Sequence, residues 1–471
     1  ASVDLVKMFP RISYPVVIAE MIVRGASIDD IAFFVGTSLG RSCILKNGKY
    51  IFTENVVFDS FGAREGAVDS SDLARLIQSI LSKPLEQSDF GIIEKRVVYE
   101  KETDTFTITV GKKSIVLVAD DSWMTEQSAI RMADLLKAVK STAKISRVGL
   151  NRTKTFVMFY GEDAEKMKEE WRELKDEGET DIDCADSLDY LGIKIENDDK
   201  TEERNVERKI EKAKENLRLI SACGLHSKFL MPLSIRLNLL STYIYSKVIS
   251  ALNAFILDAK AEKLLRNFSD SCVRKVTLQH ENSSTPALYL LVGMMPLSTQ
   301  WRIACVSLFI RVLTTENNLR EVWLYHLINM KRYKYNYMGM MERIFLSAGI
   351  TGYHNLFYIS NLNQKNRKSV FKLVKKRIVD LETEKLKRMV CAMKRTPLID
   401  MERIVPGKGL MSLMTVEMSE ASMRGRACQI GILSNNFLTS RLDKNSTQKC
   451  FARNCDAHVD GALAMLQCKA H

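Results

Sequence analysis

Two carboxylates stand side by side, Asp120 and Asp121, one residue after the apolar run Ile115–Val118. Adjacent acids at a strand tip repel each other, and a divalent cation is the usual remedy. A third acid, Asp4, lies in another apolar run near the start of the sequence. Mg²⁺ takes oxygen ligands and is commonly held by one or two carboxylates together with substrate phosphates. Acids from two strands therefore suit a two-metal clamp for in-line phosphoryl transfer, with Asp4, Asp120 and Asp121 as ligands. Taken alone, the same residues also describe a surface turn with solvated aspartates.

Such acids need strands to hold them. Residues 2–9 read as a strand closed by Pro10, and residues 14–24 as a helix. Residues 27–44 read as a helix running into a strand. A Gly-rich loop from Gly62 leads into an amphipathic helix ending near residue 81. "TFTITVGKKSIVLV" (105–118) reads as a hairpin turning at Gly111-Lys112-Lys113. A helix over 124–144, a strand over 153–161 and a strand with a turn over 188–198 complete an α+β region. Beyond residue 200, long helical patterns run to about 395, broken at Gly224, Pro232, Pro286 and Pro296.

The 471 residues have room for two to four domains, and the net charge of +12 favours a polyanionic partner. Lys331 to Arg395 holds 16 Lys/Arg against 4 Asp/Glu, a surplus equal to the whole net charge. Tyr333, Tyr335, Tyr337 and Phe371 are interleaved with those cations, which suits base stacking as well as phosphate contact. Lys331, Arg332, Arg367, Lys368, Lys375, Lys376 and Arg377 are the nucleic-acid-binding candidates; a plain solvated face is the other reading. No run of about 18 apolar residues is present, which argues against a transmembrane helix. The ten Cys are mostly scattered singly, unlike a secreted disulfide framework, so a reducing intracellular compartment is expected. Near the end, Cys450, Cys455, His458 and Cys468, with His471, offer enough N/S ligands for Zn²⁺; reduced, unmetallated cysteines are the alternative.

Five short motifs occur in order: "VDLVKMF" (3–9), "GAREG" (62–66), "VADD" (118–121), "GLNRTKT" (149–155) and "YLG" (190–192). In this order they resemble the palm motifs of a non-LTR retrotransposon (LINE-type) reverse transcriptase. "ERKIEKAKENL" (207–217) and "TPALYLLVGMMPL" (285–297) resemble that group's thumb and the region after it. The resemblance implies an α+β palm, an antiparallel sheet with packed helices, over 1–200. It implies a helical thumb over 201–275, a basic helical region over 276–395, and a knuckle-like C-terminal region over 396–471. It implies an RNA-directed DNA polymerase that uses Mg²⁺ or Mn²⁺ and takes an RNA template and a DNA primer. A nuclear, non-membrane setting goes with that reading.

Residue by residue, the resemblance gives Asp4, Asp120 and Asp121 the catalytic metals. Lys154 stands near the leaving pyrophosphate. Phe9 is the steric gate against a 2′-hydroxyl. Gly62, Glu65 and Gly66 shape the nucleotide loop, and Tyr190, Leu191 and Gly192 form a tight primer-grip hairpin. Glu65 replaces that family's usual Gln, adding negative charge beside a triphosphate. The family's basic fingers precede the first aspartate motif, so a separate fingers-containing chain is an expected partner. These departures also support an alternative expectation, a catalytically weak or inactive domesticated remnant that binds RNA or serves a structural role.

Overall fold

Alternating apolar residues make β1 (Ser2–Val6), and the first half of the fold is arranged around it. The computed structural model describes residues 1–6, 14–38, 41–43, 46–47, 50–51, 57–59, 76, 80, 82, 85, 88–100, 105–113, 115–118, 121–145, 149–196, 201–222, 233–277, 281, 283–315, 318–329, 336–350, 364–392 and 404–407. They form a mixed α+β fold that divides into two units, Ala1–Thr201 and Glu202–His471. Among the described residues no helix is long and apolar enough to cross a membrane.

In the first unit, helices α1 (Tyr14–Val23) and α2 (Ile28–Ser38) follow β1. Short strands pair next, β2 (Arg41–Cys43) with β5 (Val57–Asp59) and β3 (Lys46–Asn47) with β4 (Tyr50–Ile51). A long hairpin, β6 (Ile92–Glu100) and β7 (Thr105–Lys113), pairs along its whole length. The next hairpin, β8 (Ile115–Val118) and β9 (Asp121–Met124), joins β1 through β9. β10 (Gly149–Leu150) and β11 (Phe156–Val157) take the other edge of β1, and β12 (Asp183–Cys184) adds in parallel to β11. The sheet order is β12-β11-β1-β9-β8 with β10 beside β1, so the sheet is mixed rather than purely antiparallel.

One face of this sheet is apolar. Val3, Met124 and Val157 point into a core shared with α3 (Ala129–Ile145) and α4 (Ala164–Asp176). Met132, Leu136 and Val139 of α3 recur at helical spacing and are buried there. On α4, Trp171 is buried and its Nε1 donates to the Ile182 carbonyl at 3.0 Å, which ties the crossover helix to the start of β12.

Two expectations need correction. Gly111-Lys112-Lys113 is no turn; β7 runs straight through it, paired with Glu94, Ile93 and Ile92. The physical reason sits at Gly111, where a Cβ would lie 2.6 Å from Cζ of Arg96, so the glycine makes room for a cross-strand side chain. The strand expected over 153–161 is confined to Phe156–Val157, preceded by a turn at 152–154.

The second unit is helical. α5 (Thr201–Ile220) buries Val206, Ile210, Ala213 and Leu217, a stripe at helical spacing. α6 (Leu233–Leu239) continues through a π-helical turn, Leu240–Tyr245, into α7 (Ser246–Ile249). α8 (Ala259–Thr277) follows. The fully buried α9 (Thr285–Val292) has Pro286 in its first turn and ends at Gly293, whose φ of 71° is the left-handed C-terminal cap that glycine supplies without strain. α10 (Leu297–Leu313), α11 (Asn318–Ile328), α12 (Tyr337–Ser347) and the long α13 (Gln364–Cys391) complete the unit. α13 packs on α9 and α10. Its Glu382 is buried and ion-paired to Arg266 at 2.8 Å. Arg266 also lies over the Tyr289 ring, and Tyr289 donates to Asp270 at 2.8 Å.

Candidate active site

The face of the central sheet turned away from α3 and α4 carries the positions of the candidate acids. Antiparallel pairing sets Ser2 against Trp123, Val3 against Ser122 and Asp4 against Asp121. Directly opposed residues share a face, and successive residues alternate. Val3 and Ser122 are buried on the helix-covered side. Positions 4 and 121 therefore belong to the opposite face, with Cα atoms roughly 4.5–5.5 Å apart by the geometry of antiparallel pairs. Two acids 117 positions apart in the chain (121 − 4) thus become direct cross-strand neighbours.

The hairpin that carries Asp121 is tight. Val118 pairs with Asp121, so only residues 119 and 120 connect β8 to β9. Asp120 itself lies outside the described residues, as do Phe9, Gly62, Glu65 and Gly66 and the side chains of Asp4 and Asp121. Among the described residues no three His, Cys, Asp or Glu come together to hold a metal.

Trp123 shares the face of Asp121, two residues along the strand. Its indole packs against Tyr190 with ring centroids 5.2 Å apart. Tyr190 ends β13 (Ser187–Tyr190), which pairs with β14 (Ile193–Glu196) across Leu191 and Gly192. Their φ values of 49° and 76° are both positive, as a two-residue type I′ hairpin requires. Leu191 pays backbone strain to take that shape, and its side chain is exposed. The tight hairpin read at residues 190–192 is thus present, and it leans on the acid-bearing strand through Trp123, a residue the motif reading passed over.

Lys154 enters from the other edge of β1. β10 pairs at Leu5 and Val6, and β11 pairs at Ser2, so residues 151–155 stand against only Val3 and Asp4. The excess chain arches as a turn in which the Lys154 N–H donates to the Asn151 carbonyl at 3.1 Å. Lys154 is exposed while Thr155 is fully buried, so the arch is anchored at its far end.

The basic candidates in the second unit fall on α13. Val374, Ile378, Leu386 and Val390 are buried on one side. Lys368, Lys375, Lys376 and Arg377 are exposed, and Arg367 is half-buried. Lys372, not singled out in the sequence, is exposed one turn after Lys368 and extends the cationic stripe. Helical spacing on the 364–391 segment could have found it. Lys331 and Arg332, and the C-terminal Cys450, Cys455, His458 and Cys468, lie outside the described residues.

No protein-family model matches the chain, and no curated protein matches it.

Proposed function

We propose that this chain is an RNA-directed DNA polymerase of the non-LTR retroelement type, with the face of the central sheet turned away from α3 and α4 as its palm site. The observation that carries the reading is the Asp4–Asp121 register beside a two-residue hairpin. It gives acids of two separate motifs one face and one level of the sheet, as a shared cation site needs. Hard divalent cations fit such a donor set of carboxylate oxygens. Asp4, Asp120 and Asp121 would hold Mg²⁺ or Mn²⁺, which when bound lowers the cost of charge on attacking and leaving oxygens. The β13–β14 hairpin would steady the primer end, braced by the Trp123–Tyr190 contact. Lys154, on its arch beside Asp4, would supply positive charge toward a leaving pyrophosphate.

The test is primer extension on an RNA template with Mg²⁺ or Mn²⁺, with and without a basic fingers fragment added in trans. Extension that vanishes in Asp4→Asn supports the reading; no extension under any of these conditions removes it. A second reading, an RNA-binding protein without catalysis, is favoured by the exposed cationic stripe of α13. It predicts RNA binding that is indifferent to the Asp4→Asn change.

A further inference from the structure

In the second unit α5 and α8 are tied together by Lys260 and Glu203, 2.5 Å apart. Between the two helices opens a cleft of about 500 Å³. That is the size of pockets that take small organic ligands. Leu217 from α5 and Leu264 and Phe268 from α8 give it an apolar lining. Cations stand on both walls. Lys214 and Arg218 lie one turn apart on α5, and Lys275 comes from α8. Among the described residues no Asp or Glu lines the cleft. Lys214 is held by Glu211 at 2.7 Å, but among the described residues Arg218 and Lys275 pair with no carboxylate. Exposed Asn267 also lines the cleft, and its amide can both donate and accept.

We propose that this cleft holds one unstacked base of a single-stranded RNA, with the flanking phosphates on Arg218 and Lys275. Apolar surface between cationic walls is the arrangement that single-stranded nucleic acid requires, because each base brings an apolar face and each linkage a negative charge. The Asn267 amide can meet the hydrogen-bonding edge of a base. An acyl carboxylate would also use the apolar lining, but it carries one charge for two unpaired cations and offers Asn267 nothing along its chain. The choice of RNA over another amphiphilic anion rests on the polymerase reading above.

The experiment uses the full chain in EDTA, so that it does not depend on the acidic site. The probe is a ten-nucleotide single-stranded RNA, compared with the same RNA carrying abasic positions, and with a version bearing one 4-thiouridine for photocrosslinking. Binding should weaken at least about fivefold on removal of the bases, the lower end of what one stacked base contributes. The crosslink should fall between residues 264 and 271. Leu264→Trp, which fills the cleft, should abolish the preference for intact over abasic RNA. Thermal unfolding checks that this variant still folds; if it does not, Asn267→Ala at an exposed position replaces it and should halve the preference or more. Equal binding of intact and abasic RNA overturns the proposal. So does a crosslink confined to other segments, or protection of the cleft by decanoate with RNA binding unchanged. Absence of base preference in the unmodified chain, with its primer extension intact, would remove the cleft and spare the polymerase reading; base preference without primer extension would do the opposite.

Discussion

Trp123 and Tyr190 meet ring against ring, 5.2 Å between centroids and 57° between planes, and so couple the strand of Asp121 to the hairpin at Leu191 and Gly192. Aromatic pairs of this kind contribute about 0.5–1.5 kcal/mol beyond area burial. A double-mutant cycle with Trp123→Leu and Tyr190→Leu, read by urea unfolding, should return a coupling in that range. A coupling below about 0.3 kcal/mol, within ordinary additivity error, would mean that the hairpin does not rest on the acidic strand.

Asp4→Asn and Asp121→Asn should each weaken Mn²⁺ binding to the first unit. Changing an outer-shell partner of a metal typically costs roughly 10–100-fold, and a direct ligand should cost at least as much. Calorimetric titration with Mn²⁺ measures this without any assay of turnover. Unaltered Mn²⁺ affinity in both variants would remove these acids from the metal site.

The cationic stripe of α13 makes a prediction about salt. Replacing Lys375, Lys376 and Arg377 with Glu should weaken RNA binding and flatten its dependence on salt. Three lost phosphate contacts on single-stranded RNA correspond to a slope smaller by about 2 in log K against log salt. A slope identical to that of the parent chain would mark the stripe as a solvated face.

Alkaline pH should loosen the second unit. Burial pushes the Cys272 thiol up from 9.0 to about 12, and burial also raises the Tyr245 and Tyr289 hydroxyls well above their ordinary range. In each case the folded state holds its proton more tightly than the unfolded chain. The Cys272 contribution is therefore complete below pH 9 and is lost as pH rises from 9 toward 12, and those of the two tyrosines begin to be lost only above pH 10. Each such group can steepen the fall by up to about 1.4 kcal/mol per pH unit. Unfolding free energies measured between pH 8 and 11 should fall along this limb. Cys272→Ala should make the fall shallower even though it lowers the starting stability.

How much of this was legible in the chain depends on the range of each interaction. The apolar runs at Ser2–Val6 and Ile115–Val118 announce strands, and the Leu191-Gly192 turn carries its glycine where a positive φ is needed. Gly-Lys-Lys carries turn chemistry, so 105–118 reads as a hairpin, while the glycine answers to Arg96 on a strand that shows little alternation of its own. The Asp4–Asp121 opposition depends on register between distant strands, which no local pattern encodes. Trp123 reads as one more core aromatic until Tyr190 is seen beside it. The cleft cations Arg218 and Lys275 look like ordinary surface charges, since they sit on helices brought together only by tertiary packing.

The central place of β1 also sets an order of events during synthesis. Ser2 pairs with Phe156, so the strand that carries Asp4 cannot complete its sheet until a further 154 residues (156 − 2) have left the ribosome. At ribosomal speeds of roughly 5–20 residues per second, that is a wait on the order of ten to thirty seconds. β1 has two open edges until β9 arrives and one open edge until β11 does, an invitation to pair with the wrong neighbour. A nascent chain halted before residue 149 should therefore lean on holdase chaperones, and release should track the arrival of β10 and β11.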